Sequence, residues 1–183
     1  MRKWYFLGHL RKTGAALYAH WSVLAAVLVL TAGALGSPLY AAVAVFSLLA
    51  LVLIHELGHA FIAHRLRLEV TAVYFSLIHG RCEYEAPDSE WEAALVAWGG
   101  VAAQLVVAIP VLLLDSLWRG DWAVLSPVVL ILGYWSLFIA IYNLVPLPGT
   151  DGQLAWRVVP MLTQQWRSHR AAGAALRRIS GKR

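Results

Sequence analysis

Four stretches of the chain are apolar almost throughout, at about 19–35, 38–64, 91–114 and 122–144. At 1.5 Å of rise per residue each predicts a helix able to cross a hydrocarbon core of about 30 Å, the first only just. Gly36-Ser37-Pro38 closes the first run. Ala34-Leu35-Gly36 loosely resembles a signal-peptide cleavage site, but the basic, aromatic tail from Met1 to Tyr18 is long for a signal n-region. An uncleaved span is therefore expected. Between the second and third runs the period changes. Val70, Ala72, Tyr74 and Ser76 alternate with Thr71, Val73, Phe75 and Leu77, and His79-Gly80 is a turn signal. This predicts a β-hairpin over Leu68 to Glu85, which must be covered by protein or lie at the membrane interface. Pro87-Asp88-Ser89 marks the start of the third helix, with Asp88 or Ser89 as N-cap. Pro127 lies near the start of the fourth, and Pro146 and Pro148 force an extended stretch after it. Leu154 to Arg183 is rich in Arg and Ala and predicts a helix on the membrane surface. The expected fold class is a mainly α membrane protein, with about four transmembrane helices and a small membrane-associated β-hairpin between the second and third.

Composition supports this class. The chain is 60% hydrophobic and 14% charged, with mean hydropathy +0.65, against about half and a quarter for a soluble domain. The net charge of +5 does not point to nucleic acid, because the basic residues cluster between the apolar runs and at the ends. With four spans, both termini share a side with the segment from Arg65 to Glu92. Of the 15 Lys and Arg residues only Arg119 falls on the other side. The positive-inside rule then places both termini in the cytoplasm. The single cysteine, Cys82, excludes an internal disulfide framework. Nine Trp and seven Tyr suit interfacial belts.

The chemistry is concentrated in Leu53-Ile54-His55-Glu56-Leu57-Gly58-His59-Ala60. On a helix, residues four apart share a face, so His55 and His59 can chelate one metal ion through neutral imidazoles. Glu56 starts from the same turn and can act as general base toward a water there. That is the content of H-E-x-x-H. Ionisable groups inside a membrane span are costly and mark function by default. His64, five residues after His59, points away from the chelating face. Ile62 and Arg65 stand where the longer H-E-x-x-H-x-x-G-x-x-H pattern needs Gly and His. In the third run Gly99-Gly100 and Ala102-Ala103 let helices approach closely, and Gln104 needs a hydrogen-bonding neighbour. After the fourth run, Asn143 and Asp151 are the most suggestive polar groups outside the metal motif. The topology brings them to the same depth as His55, Glu56 and His59.

These residues resemble the site-2 protease family of intramembrane zinc metalloproteases, in particular short members related to the sporulation-factor-processing proteases. His55-Glu56-Leu57-Gly58-His59 is similar to the family's zinc helix. Asn143-Leu144-Val145-Pro146-Leu147-Pro148-Gly149-Thr150-Asp151-Gly152 resembles its N-x-x-P-x-P-x-x-D-G motif, and Trp98-Gly99-Gly100-Val101-Ala102-Ala103-Gln104 its weaker G-P-x-x-N segment. Val101 and Gln104 replace the usual Pro and Asn, and Gln153 stands where a second Gly is common. The resemblance spans about residues 20 to 160. It implies one Zn²⁺ held by His55, His59 and Asp151. Glu83 and Glu85 are the rival third ligands, since other H-E-x-x-H enzymes take a downstream Glu. With Glu56 as base, Asn143 is the candidate oxyanion donor, because its amide NH₂ can donate and it precedes the Asp151 turn.

The expected organisation is one intramembrane metalloprotease domain over 1–183. It comprises a cytoplasmic tail (1–18), a catalytic membrane core (19–153) and a basic C-terminal surface helix or tail (154–183). The expected function is hydrolysis of a peptide bond within or beside a membrane-embedded protein substrate, in a bacterial-type cytoplasmic membrane. An edge from Val70 to Leu77 is expected to pair with the unwound substrate. The alternatives are a catalytically silent zinc-binding scaffold and a metal transporter. The second lacks the internal symmetry that transporters usually show.

Overall fold

The computed structural model describes residues 4–25, 28, 37–76, 79–117, 124–164, 166 and 170. The chain is mainly helical. Among the described residues three helices are long and apolar enough to cross a membrane: α1 (Pro38–Arg65), α2 (Glu90–Leu117) and α3 (Ser126–Asn143). The first expected span, 19–35, lies partly outside the described residues, and residues 118–123 and 171–183 lie wholly outside them.

The helices α1 and α2 start where the sequence supplies a cap. The Ser37 hydroxyl accepts from the Tyr40 N–H at 3.3 Å, and Pro38 occupies the first turn of α1, where no N–H is needed. Ser89 accepts from the Glu92 N–H at 3.2 Å, while the Glu92 carboxylate accepts from the Asp88 N–H at 2.9 Å. This arrangement resembles a capping box at the start of α2, with the return bond made to the residue before the Ser89 cap. In α3 the turns widen to a π-helix over Val129–Trp135 before α-helix resumes at Ser136. Gly133 lies in this segment against Leu112 of α2, where an added Cβ would stand 2.8 Å from the nearest leucine carbon. Apolar side chains such as Phe46, Val106, Leu117, Phe138 and Ile141 remain exposed along the helices, as lipid-facing positions require.

The sheet is larger than a hairpin. Strands β1 (Trp4–His9), β2 (Ala16–His20), β3 (Val70–Phe75) and β4 (Gly80–Tyr84) form one four-stranded sheet in the order β1-β2-β3-β4. β1 pairs antiparallel with β2, β2 parallel with β3 and β3 antiparallel with β4. The segment expected as an N-terminal tail thus supplies half of the sheet, and the apolar run expected to begin a span at Ala19 still belongs to β2 there. A second expectation fails for a related reason. The stretch from Val70 is not an edge, because β3 is hydrogen-bonded on both sides; the edges are β1 and β4. Protein covers β3, whereas β1 leaves Tyr5, Phe6 and Leu7 exposed. Val70 and Val73 pack with Ala60, Ala63 and Leu68 from the end of α1 and the turn after it, and with Val96 of α2. Phe75 packs with Ala19, Leu51 and Val52 nearer the centre of α1.

Candidate metal centre

Two helices meet where the histidines sit, and glycine decides how closely. Gly58 follows Glu56 on α1 and opposes Gly99 on α2. A Cβ on Gly99 would stand 2.6 Å from the Gly58 carbonyl oxygen, and one on Gly58 would stand 2.7 Å from Ala103 Cβ. Side chains at either position would force the backbones apart. The next residue, Gly100, makes room for the imidazoles themselves. A Cβ there would stand 2.6 Å from both His55 Cε1 and His59 Nε2.

Within that space the two rings are fixed from behind. His59 Nδ1 lies 2.7 Å from the Val96 carbonyl oxygen, and His55 Nδ1 lies 3.0 Å from Gln104 Oε1. Both partners only accept, so each ring carries its proton on Nδ1 and turns the Nε2 lone pair to the other side. The two Nε2 atoms face each other at 3.1 Å.

Asp151 completes the group. Its loop follows the end of α3, where Leu144 closes the helix and Pro146 and Pro148 prevent its continuation. The Thr150 hydroxyl donates to the Val145 carbonyl at 2.5 Å and ties the turn, and Gly149 takes a left-handed φ of 89°. Asp151 then leads the short helix α4 (Gly152–Ala155). The Trp98 indole N–H donates to the Ala155 carbonyl at 3.1 Å, and that of Trp156 to the Leu144 carbonyl at 2.5 Å. The turn is thereby anchored to α2 and closed on itself. Asp151 Oδ2 stands 3.0 Å from His55 Nε2, and Oδ1 stands 3.4 Å from His59 Nε2.

This donor set fits a zinc ion. The two Nε2 atoms lie 3.1 Å apart, and the Asp151 carboxylate faces them with Oδ2 at 3.0 Å from His55 and Oδ1 at 3.4 Å from His59. Ligand atoms of a tetrahedral centre with bonds of about 2.0–2.1 Å lie about 3.3 Å apart. Asp151 Oδ2, though close to His55, is buried without a hydrogen-bond partner among the described residues. That is expected if the opposing Nε2 has no proton to give, and a cation resolves the conflict. His55, His59 and Asp151 are the residues grouped tightly enough to hold a metal among those described.

The remaining candidates take separate places around a cavity of about 890 Å³. Glu56 is 6% exposed and lines it. The start of β4 lies over its side chain, for a Cβ on Gly80 would stand 2.5 Å from Glu56 Oε1. Asn143, at the end of α3, brings Nδ2 to 3.4 Å from His55 Nε2. Of the rival ligands, Glu83 lines the cavity but pairs with Arg81. The Glu85 carboxylate faces the Glu69 N–H at 3.4 Å. Sequence reasoning did not identify Gln104 as the partner of His55, nor Gly80 as the residue above Glu56. It also did not place Trp4 and Tyr74, both from the sheet, in the cavity wall.

No protein-family model matches the chain, and no curated protein matches it. Among solved structures it is similar to the Site-2 Protease from Methanocaldococcus jannaschii. The two are 18% identical, the match covers 85% of this chain and 71% of that one, and the TM-score is 0.65. The chain therefore has the fold of a site-2 protease.

Proposed function

We propose that the protein is a zinc-dependent intramembrane endopeptidase of the site-2 protease type, cutting a peptide bond within or next to a substrate's membrane span. One observation carries this reading. His55, His59 and Asp151 present a three-donor site in the wall of the same cavity as Glu56 and Asn143, in a chain with that fold. Bound there, zinc supplies a Lewis acid and brings a water molecule's pKa toward neutrality.

The chain's own residues then divide the work. Glu56 takes the proton of the attacking water and returns it to the leaving amine. Its burial beneath β4 keeps bulk water from competing for that proton. Asn143 offers its amide N–H groups to the oxygen that gains charge as the carbonyl becomes tetrahedral. A helical substrate hides its scissile amide in its own hydrogen bonds, so it must unwind before attack. The free edge of β4 borders the cavity and can take up the unwound segment by strand addition.

The Lys and Arg asymmetry supports cytoplasmic placement of both termini, the sheet and the site. Reporter fusions after Glu85 and Gly120 should read opposite sides, with Glu85 inside; finding Glu85 outside would reverse this orientation. The activity itself is tested with purified protein and a fluorogenic transmembrane peptide. Cleavage should vanish on chelation and return with zinc. Stoichiometric zinc without cleavage of any transmembrane peptide tried would favour a silent scaffold.

A further inference from the structure

Among the described residues Gln104 is the largest of the fully buried side chains, with 0% exposure, and it sits in the middle of a membrane-spanning helix. Such a position ordinarily takes an apolar residue, because an amide buried in an apolar medium must satisfy both its acceptor and its donors. Gln104 satisfies only the acceptor. Oε1 faces His55 Nδ1 at 3.0 Å, and Nε2 has no hydrogen-bond partner among the described residues. The residue thus carries a cost that a leucine would not. What it provides in return is one contact, on one imidazole.

The two histidines differ in how they are oriented. His59 is held by the Val96 main-chain carbonyl at 2.7 Å, which helix α2 presents whatever side chain stands there. His55 depends on the Gln104 side chain. Without an acceptor behind Nδ1, the His55 proton can move to Nε2, where it would block coordination and confront His59 Nε2 at 3.1 Å.

We propose that Gln104 is the positioning residue of the metal centre: its carbonyl oxygen fixes the tautomer and orientation of His55, and so sets the zinc affinity. This rests on the zinc reading given above. Acceptors behind a ligating histidine typically change metal affinity about 10–100-fold when removed.

The test uses full-length protein in detergent, with zinc affinity from competition against a chromogenic chelator and the unfolding midpoint of the metal-free protein. Gln104→Leu fills the same space without an acceptor, and Gln104→Glu keeps an oxygen toward His55. The expected result is a split. Gln104→Leu binds zinc about 10–100-fold more weakly while its metal-free midpoint does not fall, and Gln104→Glu keeps wild-type affinity or exceeds it. Equal zinc affinity in wild type and Gln104→Leu would overturn the assignment. So would loss of affinity in both variants together with a lowered midpoint, which is the mark of a packing role alone. A wild-type protein that binds no zinc would remove the metalloprotease reading and this inference with it. A zinc-binding wild type matched by the Leu variant would remove only the role of Gln104.

Discussion

Gly58 and Gly99 face each other across α1 and α2 so closely that a Cβ on Gly99 would stand 2.6 Å from the Gly58 carbonyl oxygen. The crossing point of the two helices lies one residue before His59 and one before Gly100, so the packing of the bundle and the geometry of the metal site are set at the same place. A valine at Gly99 must push the helices apart. Overpacking of this kind costs about 1–3 kcal/mol. Here it should also separate His59 Nδ1 from the Val96 carbonyl. Gly99→Val is expected to lower the thermal midpoint and the zinc content together, whereas Val106→Ala, on an exposed face of α2, should leave zinc content unchanged. Full zinc occupancy in Gly99→Val would show that the helices can separate without disturbing the ligands.

The third ligand is assigned by placement. Asp151 approaches both Nε2 atoms, while Glu85 faces the Glu69 N–H at the far end of the β3–β4 pair. Asp151→Ala should therefore lose most of its zinc and Glu85→Ala almost none, as measured by metal analysis after gel filtration. Comparable losses in the two variants would return Glu85 to contention.

Cys82 lies in β4 within the cavity wall and invites the question of a reactive thiol. Burial, then the nearby Glu56 and Glu83 carboxylates, push its pKa up to about 12. The thiolate is the nucleophile, and it forms only as pH rises toward that value. At pH 8 the thiolate fraction is about 10⁻⁴, against roughly a quarter for a free cysteine. Alkylation of the folded protein by iodoacetamide at pH 8 should be slower than that of the denatured chain by a factor of about 10³. It should accelerate as pH is raised. Rapid labelling of the native protein at pH 8 would contradict the half-buried, neutral thiol.

Much of the site was legible in the chain because its geometry is local. His55 and His59 share a helix face by spacing alone, and the prolines after Asn143 force a turn wherever the helix ends. What the sequence did not disclose depends on pairings distant in the chain. The Trp4–His9 stretch carries no strict alternation, and the register of β1 shifts between Phe6 and Gly8. Its partner strand joins Tyr74 only across the whole of α1, through the Tyr18–Tyr74 register of β2 and β3. A basic, aromatic tail was the natural local reading, and with β1 and β2 unseen, β3 looked like an edge. Gln104 was recognisable as a polar group in need of a partner, but nothing in its neighbours along the chain names His55.

The corrected sheet order moves the strand-addition hypothesis from β3 to β4. In an antiparallel pair, successive residues of one strand direct their N–H groups alternately toward the partner and away from it. Proline at Arg81 or at the adjacent Cys82 therefore removes an outward donor in one case and a β3 ladder bond in the other. The outward variant should retain zinc and fold while its KM for a transmembrane peptide rises, and the inward variant should lose stability. Unchanged KM in a stable, zinc-loaded proline variant would show that substrate does not add to this edge.

The chemical step separates Glu56 from Asn143. Both line the cavity beside the three donors, but neither belongs to the donor group, so each can be altered without removing a ligand. Glu56→Gln keeps the size of the side chain and its packing under Gly80 while abolishing the base. Zinc content and substrate affinity should hold, and single-turnover cleavage should fall almost to nothing. Asn143→Ala removes a donor 3.4 Å from His55 Nε2 that is needed only as charge develops on the carbonyl oxygen. Loss of one such donor typically costs about 10²–10³ in rate. The loss should appear mainly in kcat, because an interaction made only in the transition state leaves ground-state binding intact. A rise in KM with kcat unchanged would recast Asn143 as a substrate-binding residue. Cleavage that survives in Glu56→Gln at the wild-type rate would remove the general-base mechanism itself, whatever the metal content of the protein.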